Sequence, residues 1–391
     1  MRMSTDRILT THVGSLPRPP VLMEVMLMED RGEPVDADAY EERLRAAVGE
    51  VVRRQAEIGI DIVDDGEYGK RGFSVYVNER LGGYTPSGRA RGSNWAGSRE
   101  ALSFPEFYEA TVRPPTGKPT PQNMEMVCTG PVTYRGEAQL RRDLDNLRAA
   151  AEAAGVAEAF VPAISACDVA GNQRNEYYGS DDEFLSAIAD AMNTEYRAIV
   201  DAGFLVQIDD PRLINYYVKN PDLSVAQCRA WAERQVEAIN HSLRGIPEER
   251  VRYHTCYGIN MGPRVHDMEM KDFIDIVLKI RAGAYSFEAA NPRHEHEWRI
   301  WEDIRLPEGK AIIPGVITHS SVLVEHPELV AERIGRFASV VGRENVIAGG
   351  DCGFGTQARA IPEVHPSIVW AKFESLVAGA RIATERLWGR T

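Results

Sequence analysis

Val251-Arg-Tyr-His-Thr-Cys256 is a short β-branched and aromatic run that ends in two potential metal ligands. Its length and composition predict a buried strand. Helical periodicity flanks the run on both sides, from Val225 to Leu243 before it and from Met270 to Ala282 after it. Strands that alternate with helices of this length form parallel sheets in α/β proteins. The fold class therefore depends on how often this unit recurs.

The unit recurs along the whole chain. Eight strands are predicted, at His12–Ser15, Ile62–Glu67, Ala159–Ser165, Leu205–Asp209, Val251–Cys256, Tyr285–Glu288, Ile312–Ile317 and Val346–Cys352. Further helices are predicted at Tyr40 to Ile58, Asp181 to Ala202, Pro327 to Val341 and Pro366 to Leu387. An open doubly wound sheet is the alternative, but no Gly-rich GxGxxG turn follows the first strand. We therefore predict an α/β fold, a (β/α)8 TIM barrel, over a single domain of residues 1–391.

A long segment after the second strand, residues 72–123, interrupts the alternation. It is rich in Gly, Pro, Arg and aromatic residues and has little periodicity. A loop of this length is uncommon unless it serves as a lid, a binding loop or an oligomer contact. We therefore predict that 72–123 is an insertion in the barrel. Its residues Arg89, Arg91 and Arg99 could hold a sulfonate or carboxylate, and Met124–Cys128 is expected to form a hairpin before the third barrel strand.

Composition and charge exclude several classes of function. The chain has 391 residues, of which 45 are basic and 58 acidic, for a net charge of −13. This balance argues against nucleic-acid binding, which requires clustered cations. The sequence shows neither a transmembrane stretch nor a signal core. Five cysteines without a CxxC pair suit thiols in a reducing compartment. We expect a cytoplasmic protein that acts on small molecules and is compatible with a homo-oligomeric state.

Polar and reactive side chains are concentrated at the carboxyl ends of the predicted strands. They are Ser15, Glu67, Asp209, His254, Cys256, Glu288, His319 and Cys352. In β/α barrels this end carries the active site. We therefore expect these residues to meet at one mouth of the barrel.

A zinc site is the sharpest prediction within this group. His254 and Cys256 are two residues apart in a strand, so both side chains face the same side. Glu288 ends the next predicted strand and Cys352 ends the last one, and they complete a set of four ligands that zinc accepts. The alternative is that the cysteines and the histidine are buried core residues. Two thiolates make zinc a poor catalyst of hydrolysis and favour alkylation of a bound thiol.

The remaining cysteines and a second histidine pair are weaker candidates. Cys128, Cys167 and Cys228 lack a neighbouring histidine at strand spacing and are expected to be structural. His294 and His296 form an HxH pair of the kind found in zinc-dependent barrel hydrolases. The pair does not follow the first strand, where that class would place it, so a hydrolase is the alternative from another reaction class.

Several motifs together resemble the catalytic C-terminal barrel of the cobalamin-independent methionine synthase family. They are Thr10-Thr-His-Val-Gly-Ser-Leu-Pro17, Asp65-Gly-Glu67, Gln207-Ile-Asp-Asp-Pro211, His254-Thr-Cys256, Pro314-Gly-Val-Ile-Thr-His-Ser320 and Asp351-Cys-Gly353. The resemblance implies the same zinc ligands, a homocysteine carboxylate site at the turn from Val13 to Ser15, and an ammonium site at Glu67 and Asp209. It implies that His319 is the general acid for the departing donor.

The sequence also departs from that family pattern. Full-length members carry a second, N-terminal half, and this chain is long enough for one barrel. Ile317 stands where the family has an acidic residue, and Ser165–Asp168 lacks the tryptophan that contacts folate. The resemblance implies methyl transfer to homocysteine from a methyltetrahydropteroylglutamate-type or other donor. An epoxyalkane:coenzyme M-type transferase is the alternative among single-barrel relatives, whereas a porphyrinogen-decarboxylase-like barrel would hold no stoichiometric zinc.

Overall fold

The computed structural model describes residues 1–93, 95–111, 124–258, 262–358, 362 and 364–389. Its strands are β1 (Leu9–Thr10), β2 (Ile62–Val63), β3 (Leu81–Ala90), β4 (Met124–Tyr134), β5 (Glu158–Ile164), β6 (Arg174–Asn175), β7 (Leu205–Asp209), β8 (Val251–Thr255), β9 (Ala284–Phe287), β10 (Ala311–Ile317) and β11 (Ile347–Gly350). Its α-helices are α1 (Pro20–Asp30), α2 (Ala37–Ile58), α3 (Val77–Arg80), α4 (Arg99–Ser103), α5 (Pro105–Thr111), α6 (Glu137–Ala153), α7 (Ala166–Asn172), α8 (Asp181–Asp201), α9 (Arg212–Lys219), α10 (Val225–Ser242), α11 (Ile274–Val277), α12 (Pro327–Val341) and α13 (Pro366–Trp388). Short 3-10 helices lie at Glu248–Arg250, Met270–Asp272, Glu295–Glu302 and Arg343–Asn345.

Eight of these strands form one parallel sheet that closes into a barrel. The strand order is β1-β11-β10-β9-β8-β7-β5-β2, and every pair is parallel. An isolated bridge between Thr11 and Ile62 joins the two ends of this order. The predicted (β/α)8 barrel is confirmed. Within the described ranges, none of the helices combines the length and the apolar character that a membrane span requires.

Two predicted elements of the barrel were wrong. The first strand is Leu9–Thr10, whereas the predicted segment His12–Ser15 follows it as a turn. The turn arises because Gly14 adopts φ 128°, a conformation outside the strand region. The predicted helix from Met270 to Ala282 is only a 3-10 turn and the short α11. Its isoleucines and valine are β-branched, which lowers helix propensity, and they are buried under the sheet instead.

The segment 72–123 contains more regular structure than its composition indicates. It holds α3, β3, α4 and α5, while Asn94 and residues 112–123 lie outside the described residues. β3 pairs antiparallel with β4, and β4 pairs parallel with β6, so a three-stranded sheet stands beside the barrel. Met124–Cys128 lies in a strand outside the barrel, but it does not form the predicted hairpin, because its antiparallel partner β3 ends at Ala90 and two helices lie between them.

The floor of the barrel mouth is a buried arginine. Arg252 on β8 lies with its guanidinium carbon 3.8 Å from the centroid of the Phe160 ring. Its Nη1 donates to Thr11 Oγ1 at 3.0 Å and its Nη2 to the carbonyl of His12 at 2.8 Å. Burial lowers the pKa of Arg252 to about 10, so the side chain remains charged at pH 7. These bonds attach the first strand to the opposite side of the barrel, just below the mouth.

Candidate active site

A small cavity opens at the carboxyl ends of the barrel strands. It is lined by Val13, Ser15, Glu67, Phe73, Asp209, Pro211, His254, Cys256, Gly258, Cys352, Gly353 and Thr356. Seven of the predicted site residues are in this set: Val13, Ser15, Glu67, Asp209, His254, Cys256 and Cys352. The structure therefore brings them together at one mouth, as expected for a barrel enzyme.

Three soft ligand atoms converge in this cavity. The Cys352 thiol donates to the sulfur of Cys256 at 3.3 Å, and the ligand atoms of His254, Cys256 and Cys352 all lie within 4.8 Å of one another. His254 Nδ1 lies 3.0 Å from Ser286 Oγ, whereas Nε2 is buried and has no hydrogen-bond partner among the described residues. An orphaned imidazole nitrogen beside two sulfurs is a donor set that fits a thiophilic metal ion.

Electrostatics around these ligands also fit a metal. Burial lowers the pKa of His254 to about 3, which leaves a neutral imidazole with a lone pair. The hydrogen bond from Cys352, followed by burial, raises the pKa of Cys256 well above its usual value. The Cys256 sulfur is therefore protonated in the metal-free protein, and metal binding must release its proton.

Glu288 lies in an adjoining group rather than with the three soft ligands. Its Oε2 accepts from Arg264 Nη1 and from Asn291 Nδ2, each at 2.8 Å, and its Oε1 accepts from the backbone amide of Tyr257 at 2.9 Å. The ligand atoms of Glu288, His319 and Asp351 lie within 4.8 Å of one another. In this conformation the carboxylate is held by a cation and two hydrogen-bond donors.

His319 follows the end of β10 and is buried beside this second group. Neither ring nitrogen has a hydrogen-bond partner in the described part of the chain. Burial lowers the pKa of His319 to about 4, although the charge of Asp351 opposes that shift. The carboxylate of Asp351 in turn accepts from the amides of Ala289 and Ala290 at 2.7 Å each. Asp351 therefore provides the acidic neighbour that Ile317 cannot.

The turn after β1 carries Val13 and Ser15 into the cavity. A Cβ on Gly14 would lie 2.5 Å from Pro162 Cγ and 3.1 Å from Asp64 Oδ2, so only glycine fits this close approach. The Ser15 hydroxyl lies 3.4 Å from Thr356 Oγ1. The turn thus presents a hydroxyl and a short stretch of backbone to any ligand in the cavity.

Two carboxylates, Glu67 and Asp209, also line the cavity. Glu67 has φ 58°, rare for a residue with a side chain, and its buried Oε2 has no hydrogen-bond partner among the described residues. Asp209 accepts from Gln207 Nε2 at 2.9 Å. Burial, followed by the charge of Glu67, raises the pKa of Asp209 well above its usual value. Two converging carboxylates with an unused oxygen suit a cationic ligand group.

Some residues of the site escaped the sequence analysis. Arg264, at φ 57°, forms ion pairs with Glu288 at 2.8 Å and with Asp267 at 2.9 Å. Nothing in the sequence near Arg264 signals this role, because the pairing joins distant loops. Asp351 could have been recognised from its position beside Cys352 at the end of the last strand.

The competing HxH pair is not arranged for metal binding. His294 Nδ1 lies 2.9 Å from Glu297 Oε2, and Nε2 lies 3.1 Å from Asp267 Oδ2, so both nitrogens are used. Although burial lowers it, the pKa of His294 is raised to about 9 by these two hydrogen bonds. His296 is exposed. This pair therefore acts as an ion-paired cation and an exposed residue.

The other predicted residues have separate environments. Cys128, Cys167 and Cys228 are buried thiols without a disulfide. Arg99 donates to the backbone carbonyls of Tyr217 and Asn220, so it attaches α4 to α9. Arg89 is exposed on β3.

The comparisons with known proteins agree on one family. The family model described as "Cobalamin-independent synthase, Catalytic domain" matches residues 8–176 and 165–371. The methionine synthase of Thermococcus kodakarensis is 25% identical over 382 residues, which cover 97% of this chain and 94% of that protein. The methionine synthase of Sulfolobus acidocaldarius is 26% identical over 380 residues, with coverage of 97% and 93%.

A solved structure supports the fold. The chain superposes on a B12-independent methionine synthase from Shewanella sp. W3-18-1 in complex with selenomethionine with a TM-score of 0.73. The identity is 19%, and the superposition covers 98% of this chain and 99% of that one. The similarity therefore extends to the whole barrel and its insertion.

Proposed function

Since the chain belongs to the cobalamin-independent methionine synthase family and is a methyltransferase, we propose that it transfers a methyl group to the thiol of homocysteine and forms methionine. The observation that carries this proposal is the shared cavity. The soft ligands His254, Cys256 and Cys352 and the carboxylates of Glu67 and Asp209 line the same cavity. A small amino acid with a thiol side chain matches both groups at once.

We propose zinc as the metal, held by His254, Cys256 and Cys352, with Glu288 as the fourth ligand. When bound, zinc lowers the pKa of a thiol substrate so that it stays a thiolate near pH 7. Glu288 can join only if its carboxylate exchanges a hydrogen bond from Arg264 or Asn291 for the metal. Arg264 then remains as a positive charge close to the site.

The other residues orient the acceptor. Glu67 and Asp209 receive the ammonium group, and the Ser15 hydroxyl with the backbone at Val13 receives the carboxylate. Both charged groups on the α-carbon of homocysteine are then held, so its side chain can extend toward the soft ligands. Holding the nucleophile in one geometry can supply a large part of the rate acceleration at such a site.

The chemical step is a displacement at the methyl carbon. A bond forms between the homocysteine sulfur and the methyl carbon while the bond from that carbon to the donor breaks, and the donor keeps the electron pair. The departing donor then takes up a proton. His319 is neutral in the ligand-free cavity because burial lowers its pKa to about 4, and its N–H, which has no partner among the described residues, can donate a hydrogen bond to the donor. Its proton is available once the donor's developing negative charge raises that pKa.

The insertion 72–123 fits a role as a cover for the cavity within the single domain 1–391. Phe73 lines the cavity, and its backbone amide donates to the carbonyl of Thr356 at 3.1 Å. Gly72 pairs with Gln357 in an antiparallel bridge. The start of the insertion and the loop after β11 are therefore joined across the mouth.

A zinc-edge absorption spectrum of the zinc-loaded protein tests the proposal. Homocysteine should add one sulfur neighbour to the metal, and coenzyme M, which lacks both the ammonium and carboxylate groups, should not. A methyl donor supplied afterwards should yield methionine by mass spectrometry. A spectrum that homocysteine leaves unchanged would overturn the proposal, and a sulfur neighbour added by coenzyme M alone would favour an epoxide-opening transferase.

A further inference from the structure

The insertion is joined to the surroundings of the candidate metal site by a buried carboxylate on its helix α4. This residue, Glu100, is fully buried and takes no part in the proposed reaction. Its Oε2 accepts from the backbone amide of Arg264 at 3.1 Å, and its Oε1 accepts from the amide of His266 at 2.6 Å. We call these two hydrogen bonds the clasp. The clasp attaches α4 to the loop after β8, across 164 and 166 positions of the chain.

The clasp holds an unusual backbone conformation. Arg264 has φ 57°, a value that residues with a side chain rarely adopt. Such a conformation persists only where the surrounding structure holds it, and it is frequent at functional sites. One of the two clasp bonds is made by the amide of Arg264 itself. Glu100 therefore holds the chain at the residue whose backbone is strained.

The side chain of Arg264 extends from this strained position to Glu288. Its Nη1 donates to Glu288 Oε2 at 2.8 Å, and its Nε donates to Asp267 Oδ2 at 2.9 Å. Asp267 Oδ2 also lies 3.1 Å from His294 Nε2, which fixes that end of the arginine. The side chains of Arg264 and Glu288 are 6% and 0% exposed, so water competes little with their ion pair. The position of the Glu288 carboxylate therefore depends on where the loop holds Arg264.

The part of the insertion that carries Glu100 also packs beside the cavity. Ser103 Oγ, on the same helix, lies 2.7 Å from His266 Nε2, a second contact with the loop after β8. A Cβ on Gly258, which lines the cavity, would lie 3.6 Å from Cζ2 of Trp95, so the indole ring rests against the backbone there. The clasp thus forms where the insertion packs onto the barrel, and a movement of α4 away from the barrel would break it.

From this chain of contacts we infer that Glu100 is a positioning residue, which couples the packing of the insertion to the fourth position of the metal site. The inference rests on the proposed zinc site. While the clasp is formed, Arg264 holds the carboxylate of Glu288, and the fourth position is left to the acceptor sulfur. When the clasp breaks, Arg264 is released, and Glu288 is free to join the three soft ligands. Because such coupling is reciprocal, binding of the thiol also favours the packed insertion.

Two dissociation constants of the full chain test the coupling without turnover. One is for zinc in the absence of a thiol, from competition with a chelator, and the other is for homocysteine on the zinc-loaded protein, from calorimetry. Glu100→Ala should tighten zinc binding and weaken homocysteine binding, each by about fivefold, because Glu288 then competes with the thiol. Arg264→Met should shift both constants in the same directions. Adding Glu100→Ala to Arg264→Met should change them by less than about twofold, since both residues act through one contact.

Glu109→Ala, which removes an exposed carboxylate from α5, is the matched control and should leave both constants within about twofold of wild type. Glu100→Gln keeps one acceptor oxygen and should act as Glu100→Ala does by a smaller factor, which gives the readout if the alanine variant does not fold.

A purely structural role for Glu100 would weaken zinc and homocysteine binding together, and that result would overturn the inference. An effect of Glu100→Ala that persists in full in the Arg264→Met background would overturn it as well, as would constants that do not change. The zinc measurement uses no thiol, so its result is separate from the test of the proposed function. A zinc-edge spectrum of wild type that homocysteine leaves unchanged would reject the proposed function, whereas a normal spectrum with unchanged constants in Glu100→Ala would reject the coupling alone.

Discussion

The thiol of Cys352 lies 3.3 Å from the sulfur of Cys256, although the two residues are 96 positions apart in the chain. They end two strands, β11 and β8, that are not neighbours in the sheet. Barrel closure, rather than local sequence, sets this distance. A pair of sulfurs so close beside the orphaned Nε2 of His254 is what a metal ion would bridge.

The first prediction concerns metal content. Cys352→Ala should reduce zinc from about one ion per chain to a small fraction of that, because the proposed site loses one of its two thiolates and keeps only three of its four ligands. Cys228→Ala, which removes a buried thiol from α10, is the matched control and should retain zinc. Elemental analysis after dialysis gives the readout. Equal zinc in both variants would contradict the assigned ligands.

The second prediction concerns the acceptor's ammonium group. Glu67→Gln should raise KM for homocysteine by about tenfold or more, since a hydrogen bond between charged groups contributes about 1.5–3 kcal/mol. With 4-mercaptobutyrate, which keeps the thiol and the carboxylate but has no ammonium, the substitution should have little effect. Steady-state kinetics with both thiols provides the comparison. An equal loss with both would mean that Glu67 does not bind the ammonium group.

The third prediction concerns pH and stability. The pKa of Asp209 is raised by burial and by Glu67, so the folded chain binds more protons than the unfolded chain above the ordinary value of about 3.9. The contribution of Asp209 to the free energy of unfolding therefore decreases as pH rises through that window. Asp209→Asn should stabilise the ligand-free protein at pH 8, where the carboxylate is charged in the unfolded chain, and should do so much less near pH 4.

Urea unfolding across pH 4–8 measures this difference. Asp201→Asn removes a carboxylate from an exposed position at the end of α8 and serves as the control. If the free energy of unfolding changes with pH in the same way for Asp209→Asn and wild type, the charged form of Asp209 is not destabilised in the folded protein. Stabilisation at pH 8 with loss of activity would show that the site keeps this carboxylate at a cost in stability.

The fourth prediction concerns the turn after β1. Gly14→Ala should destabilise the protein by about 2–4 kcal/mol, because the new methyl group overlaps Pro162 and the backbone must leave φ 128°. Gly49→Ala within α2 has open space around the added carbon and should be neutral or stabilising by about 1 kcal/mol. Thermal unfolding of both variants checks the pair. A Gly14→Ala protein as stable as wild type would mean that the turn tolerates a different path.

The barrel could be predicted from the sequence because the spacing of apolar residues and the length of each element are local signals. The helices Pro327–Val341 and Val225–Ser242 were located to within a residue by their caps and apolar stripes. The first strand was predicted at the wrong position, because β1 has only two residues and is too short to show the alternation of apolar and polar residues. The regular structure within 72–123 was missed since the pairing of β3 with β4 spans a long gap in sequence.

The candidate site was partly predictable for the same reason. Polar residues at strand ends identified the cavity, because all parallel strands end at the same mouth. The orientation of Glu288 was not predictable, since it depends on Arg264 from another loop. The position of Trp95 against Gly258 depends likewise on how the insertion packs onto the barrel, which no periodicity encodes.

Closure of the barrel by β1 and β11 has a consequence for the order of folding. Ser4 Oγ donates to the carbonyl of Val346 across 342 positions, and Leu9 pairs with Ile347. Contacts at this separation form late, because the loop between them must first lose most of its freedom. Until β11 arrives, β1 exposes an unpaired edge and Cys256 lacks its partner sulfur. A growing chain therefore exposes that edge until its last strand is made, and the proposed metal site is complete only after that strand has docked.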